Sequence, residues 1–180
     1  TIFVIDTSGS MEGGSIIQAK AALQMALRRL APEDSFNVIQ FDSTASKLFG
    51  TSQPATSKKI EQAIRYVKRL RADHGTQMME ALVLALDAAG ELNKVRQVIF
   101  ITDGAVGNEP ALFSYIQKYL GRSRLFTVGI GSAPNSFFMR KAAEFGHGTF
   151  THIGYQHQVK EKMEELFSKL ESPVLSEISI

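Results

Sequence analysis

The sequence predicts an α/β domain, a doubly wound and mostly parallel central sheet of about six strands with helices on both faces. Three observations carry that prediction. The runs Ile2-Phe3-Val4-Ile5 and Val98-Ile99-Phe100-Ile101 are continuously apolar, as expected of parallel strands covered on both sides. Helix-length segments with apolar residues at helical spacing separate one strand from the next. At 180 residues the chain is long enough for a single domain with a substantial core.

Residues 2–6 read as the first strand. Ser15 to Leu30 follows as a helix, with Ile16, Leu23, Leu27 and Leu30 on one face. After the turn Ala31-Pro32-Glu33-Asp34, Phe36 to Phe41 is a strand, and Lys47 to Phe49 a short third one. Gly50 to Pro54 reads as loop. Thr56 or Ser57 caps a helix to about Leu70, with Ile60, Ile64 and Val67 inward. Gln77 to Ala89 is a helix and Val95 to Thr102 the buried central strand. Pro110 to Leu120 is helical with proline at its start. Leu125 to Ile130 is a strand, and Asn135 to Phe145 a helix stopped by Gly146. Thr149 to Ile153 is a short last strand and Val159 to Leu170 the final helix. Phe3, Ile5, Val38, Ile99, Ile101 and Val128 are the expected core.

Composition is that of an ordinary globular protein: 44% hydrophobic, 21% charged, net charge +2. Such a balance leaves no electrostatic footprint for nucleic acid. Arg65, Lys68, Arg69 and Arg71 cluster on one helix but are flanked by Glu61 and Asp73, the pattern of a solvated face. There is no cysteine, hence neither disulfide nor thiolate chemistry. No apolar stretch approaches the roughly 20 residues that span a bilayer, so direct membrane insertion is not expected. The domain is expected over 1–172. Thr1 opens inside a strand, and residues 173–180 are expected to lead to a neighbouring domain.

The chemistry concentrates in Asp6-Thr7-Ser8-Gly9-Ser10, directly after the first strand. One carboxylate and two hydroxyls at alternate positions of a tight turn can aim at one point. Hard oxygen donors of this kind suit Mg²⁺, Mn²⁺ or Ca²⁺ rather than Zn²⁺. Open parallel sheets bind ligands beyond the carboxyl ends of their strands. Asp6 to Ser10 and Asp103 lie at that rim by chain direction. Thr76 joins them because the helix it precedes must run back down the sheet.

Other features read more plainly. Asp42 is expected to hydrogen-bond its own turn, Ser43-Thr44, and Asn108-Glu109-Pro110 to cap a helix. His74, His147, His152 and His157 lack zinc spacing, and Phe137, Phe138 and Met139 read as helix core. Gly129-Ile130-Gly131-Ser132 lacks the lysine-containing ending of a phosphate loop, and the glycines after the first strand do not fit the dinucleotide pattern.

Together, Asp6-x-Ser8-x-Ser10, Thr76 and Thr102-Asp103-Gly104 resemble the metal-ion-dependent adhesion site of a von Willebrand factor type A domain. Phe36 to Phe41 and Phe126 to Gly131 look especially like inter-alpha-trypsin-inhibitor heavy chains and related bacterial surface proteins. The resemblance covers the whole chain in element order. It departs at His74-Gly75-Thr76, where many relatives carry two glycines. It implies that Ser8, Ser10 and Thr76 bind Mg²⁺ (or Mn²⁺ or Ca²⁺) through their hydroxyls, with Asp6 and Asp103 acting largely through water. It implies a non-enzymatic, monomeric binding domain whose protein partner supplies an Asp or Glu carboxylate, within a larger surface, periplasmic or secreted bacterial protein. Two alternatives stand beside it: a Mg²⁺-dependent phosphoryl transferase or hydrolase with Asp6 as nucleophile, and an intracellular assembly module partnering an ATPase. A rim site is expected to be exposed, so that Asp6→Ala leaves the fold intact.

Overall fold

A computed structural model describes residues 1–87 and 95–170. The strands are β1 (Ile2–Asp6), β2 (Ser35–Phe41), β3 (Ala45–Lys47), β4 (Gln53–Pro54), β5 (Gln97–Thr102), β6 (Arg124–Ile130) and β7 (Phe150–Ile153). The helices are α1 (Gly14–Arg29), α2 (Ser57–Arg69), α3 (Met78–Leu86), α4 (Glu109–Tyr119), α5 (Ser136–Phe145) and α6 (Val159–Leu170). Strand order across the sheet is β3-β2-β1-β5-β6-β7, with β4 paired to the start of β2. β2, β1, β5, β6 and β7 are mutually parallel, and β3 and β4 run antiparallel. The doubly wound, mostly parallel sheet is therefore the one expected.

Side chains alternate across the central strands and divide the core in two. Phe3, Ile5, Ile99, Ile101, Phe126 and Val128 pack with Leu23 and Leu27 of α1, Val67 of α2 and Leu166 of α6. Val4, Val98 and Phe100 point the other way, onto Leu82 of α3, Ile116 of α4 and Met139 of α5. All six residues expected in the core are at most 1% exposed. The register places Ile5 opposite Ile101 and Ile101 opposite Val128, so one apolar row crosses three strands. It holds the carboxyl ends of β1, β5 and β6 level at one rim.

Local signals explain the helix starts. The Thr56 hydroxyl accepts from the Lys59 amide at 3.4 Å, and the Asn135 side-chain oxygen from the Phe138 amide at 3.1 Å. Three expectations need adjustment. β3 begins at Ala45, because Asp42 closes a tight turn: its amide donates to the Thr44 carbonyl at 2.9 Å and its carboxylate accepts from the Thr44 amide at 3.0 Å. Gln53-Pro54, read as loop, pairs with Phe36 and Ser35, proline being tolerated at such an edge. The central strand starts at Gln97, and the helix expected to reach Ala89 is described only to Leu86, residues 88–94 and 171–180 lying outside the described part. The expected boundary at 172–173 falls there too.

Candidate metal centre

β1 ends at Asp6, and the chain turns sharply through a short 3-10 helix at Gly9–Met11 before α1. The turn is built around the Asp6 carboxylate. One oxygen accepts from the Ser8 amide at 2.8 Å and the other from the Thr102 hydroxyl at 2.5 Å. Thr102, the last residue of β5, accepts in turn from the Gly104 amide at 2.9 Å. Asp6 therefore ties its own loop to the loop carrying Asp103. That second loop is braced by the Asp103 carbonyl accepting from the Asn135 amide and by the Asp103 carboxylate accepting from the Ala105 amide. Gly104 sits at φ +75°, and a Cβ there would meet Asn135 and Met139 at 3.1 Å, so the chain passes close over the start of α5.

The third loop is fastened by backbone. The Gly9 amide donates to the His74 carbonyl at 2.9 Å, the Asp73 amide to the Thr7 carbonyl at 2.9 Å, and the Gly75 amide to the Ser43 hydroxyl at 2.8 Å. His74 holds φ +66°, a left-handed conformation that favours glycine. Its ring is exposed, 3.4 Å from the Asp73 carboxylate. The Gln77 amide donates to the Asp42 carbonyl at 2.6 Å, fixing the residue after Thr76. All five expected ligands thus lie on three loops joined at one rim.

Their burial differs from the expected exposed rim. Asp6 and Ser8 are at most 1% exposed, Thr76 and Asp103 are half-buried, and only Ser10 is open. Asp6 is part of the folded interior. Burial raises its carboxyl pKa above the ordinary 3.8; the Ser8 and Thr102 hydrogen bonds pull it back, and the negative charge of Asp103 adds a smaller upward push. Because the folded-state value is raised, this group stabilises the metal-free fold below about pH 4, and that contribution is lost as pH rises through the raised value. The melting temperature of the metal-free wild type relative to Asp6→Asn is therefore expected to fall as pH rises from about 4 through the raised value and then level off. A difference that grows in favour of wild type over that range would contradict the assignment.

The oxygens fit a small hard cation. The Ser8 and Ser10 hydroxyl oxygens are 3.1 Å apart. Neighbouring oxygens on an octahedral ion at about 2.1 Å stand about 3.0 Å from one another. Among the described residues no three His, Cys, Asp or Glu side chains gather, so a cation here would have to rely on hydroxyls together with Asp6 and Asp103. Both Asp6 oxygens already accept hydrogen bonds, which suits a residue that anchors hydroxyl and water ligands and ill suits a nucleophile.

The loop-tying roles of two residues already named escaped sequence reasoning. Thr102 and Ser43 hold the loops through contacts 96 and 32 residues away in the chain, and no local pattern reveals them. Asn108 precedes α4 as expected but makes no side-chain cap; instead Glu109 accepts from the Asn135 side chain at 2.8 Å.

The sequence profile of the von Willebrand factor type A domain matches residues 1–152. The chain belongs to that family. A von Willebrand factor A domain-containing protein of Dictyostelium discoideum is 33% identical over 99% of this chain and 19% of its own length. Mouse inter alpha-trypsin inhibitor heavy chain 4 is 30% identical over 99% of this chain and 20% of its own. Among solved structures, a von Willebrand factor type A protein of Catenulispora acidiphila superposes with a TM-score of 0.81 at 28% identity, over 93% of this chain and 41% of that one. Manganese-loaded Plasmodium vivax TRAP protein shares the fold at a TM-score of 0.71 and 21% identity, over 88% of this chain and 69% of that one. The A domain spans about a fifth of the length of the curated relatives it matches. None of the relatives described here carries an enzyme's name. No helix among its described residues is long and apolar enough to cross a membrane.

Proposed function

We propose that the domain is a divalent-cation-dependent protein-binding module of a larger surface or secreted protein. The observation that carries this reading is the pairing of the Ser8 and Ser10 hydroxyls 3.1 Å apart over a buried Asp6 that is itself locked to Ser8 and Thr102. Ser8, Ser10 and Thr76 would hold Mg²⁺ or Mn²⁺, with Asp6 and Asp103 anchoring the shell. Neutral hydroxyls leave the dication strongly electrophilic, which favours a carboxylate from outside. The manganese named in the TRAP structure supports the choice of ion for that protein, and the surface role rests on the family.

The three hydroxyls and two carboxylates have separate tasks. Asp6 orients Ser8 through the backbone and excludes water from beneath the site. Asp103 and the half-buried Thr76 close the sides, and exposed Ser10 marks the open direction. A partner's Asp or Glu approaching from there would complete the coordination.

The test starts by offering surface and matrix proteins to the immobilised domain with and without EDTA. Each captured protein is then assayed again with its candidate Asp or Glu changed to Asn or Gln. Binding is expected to fall with EDTA, to return with Mg²⁺ or Mn²⁺, and to weaken about 10–100-fold on Thr76→Ala. A partner indifferent to chelation and to Thr76→Ala would overturn the reading.

A further inference from the structure

Among the described residues β7 is the outer strand of the sheet, paired on one side only, with β6. The carbonyls of Thr149 and Ile153 accept from the β6 chain, from the Thr127 and Gly131 amides. By the alternation of a parallel ladder, the amides and carbonyls of Phe150 and His152 then point away from the sheet. Among the described residues none of these four groups has a partner in a neighbouring segment. A cleft of about 420 Å³ runs along this edge between α5 and α6.

The cleft is electropositive on both walls. Arg140 of α5 stands on one side, its guanidinium 5.5 Å from the Phe150 ring centre. Lys162 and Lys169 of α6 stand on the other. Glu165 offsets Lys162, to which it is paired at 3.0 Å. Arg140 and Lys169 have no ion-pair partner among the described residues. The walls follow the alternation of β7: Phe150 packs toward the α5 layer and Ile153 toward the α6 layer.

We propose that this edge is a second binding site, at which an extended acidic segment of a partner protein adds a strand to the sheet beside β7. Backbone pairing at Phe150 and His152 gives the register, and the cations give the selectivity. Successive side chains of an added strand point to opposite faces, so they meet Arg140 on one face and Lys169 on the other. The preferred segment therefore carries adjacent acidic residues within a β-forming stretch. The site is independent of the metal centre.

The probe is a short synthetic peptide of valine and threonine carrying adjacent pairs of glutamates, with a lysine-for-glutamate peptide as control, added to the domain in EDTA. Amide hydrogen exchange read by NMR is expected to slow at Phe150 and His152 with the acidic peptide alone. Combining Arg140→Glu with Lys169→Glu is expected to weaken binding by about tenfold or more. His152→Pro removes one outward amide and leaves the ladder with β6 intact, and is expected to weaken binding as well. Unchanged exchange at both amides, unchanged affinity in the charge-reversed variant, or binding seen only with Mg²⁺ and felt at the metal rim would each overturn the proposal.

Discussion

Asp6→Ala is expected to lower Mg²⁺ and Mn²⁺ affinity by about 100-fold, although the carboxylate is not read as a lasting direct ligand. Outer groups that orient ligands typically govern metal affinity by about 10–100-fold, and Asp6 orients two at once. Its loss frees the Ser8 amide, which aims the first hydroxyl, and the Thr102 hydroxyl, which ties down the Asp103 loop. The fold also responds, contrary to what an exposed site would allow. Each buried donor left without an acceptor costs about 1–3 kcal/mol, offset in the metal-free protein by removal of a carboxylate whose ionisation burial opposes. Asp6→Asn is the sharper probe because it keeps the shape. Its melting temperature in EDTA at neutral pH is expected to equal or exceed that of wild type, and to stay unmoved by Mg²⁺. Calorimetric titration and thermal melts of the two variants check this. Wild-type metal affinity in Asp6→Ala would remove Asp6 from the site.

Ile99→Ala is expected to produce the largest loss of stability. Ile99 is 1% exposed in the central strand, opposite Phe3 on one side and Phe126 on the other. It sits in the apolar layer shared with α1 and α6. Removing a large aliphatic side chain from such a place costs about 2–5 kcal/mol, part transfer and part cavity. For a domain of this size that corresponds to a fall in melting temperature of roughly 4–20 °C. Mg²⁺ should still bind the folded variant, since none of the three loops contacts Ile99 directly by hydrogen bond. A melt indistinguishable from wild type would contradict the packing described for β5.

The division between what the chain announces and what it conceals follows the range of the interactions. β1 and β5 are legible because burial on both faces leaves an unbroken apolar run, and their parallel direction puts Asp6 and Asp103 on one rim. Thr76 follows from topology alone, since α3 has to start where β1 ends. The start of β3 was not legible: it depends on the Asp42 carboxylate closing a turn onto Thr44, a choice between neighbouring registers of similar propensity. Nor was the burial of Asp6. A strand-ending aspartate looks solvent-facing until the Thr102 hydroxyl, 96 residues on, closes over it. The tie from Gly9 to the His74 carbonyl is backbone to backbone and leaves no residue signature at all. Sequence pattern therefore located the oxygens, and long-range hydrogen bonds decided which are sunk and which are open.

Direct calorimetric titration of the metal-stripped domain with Mg²⁺ and Mn²⁺ tests whether these oxygens form one cation site. One saturable site is predicted, weakened about 100-fold in Asp6→Ala and weakened as well in Thr76→Ala. No saturable heat with either ion up to about millimolar concentration, a range in which weak oxygen-only sites still bind, would mean that these oxygens do not form a cation site.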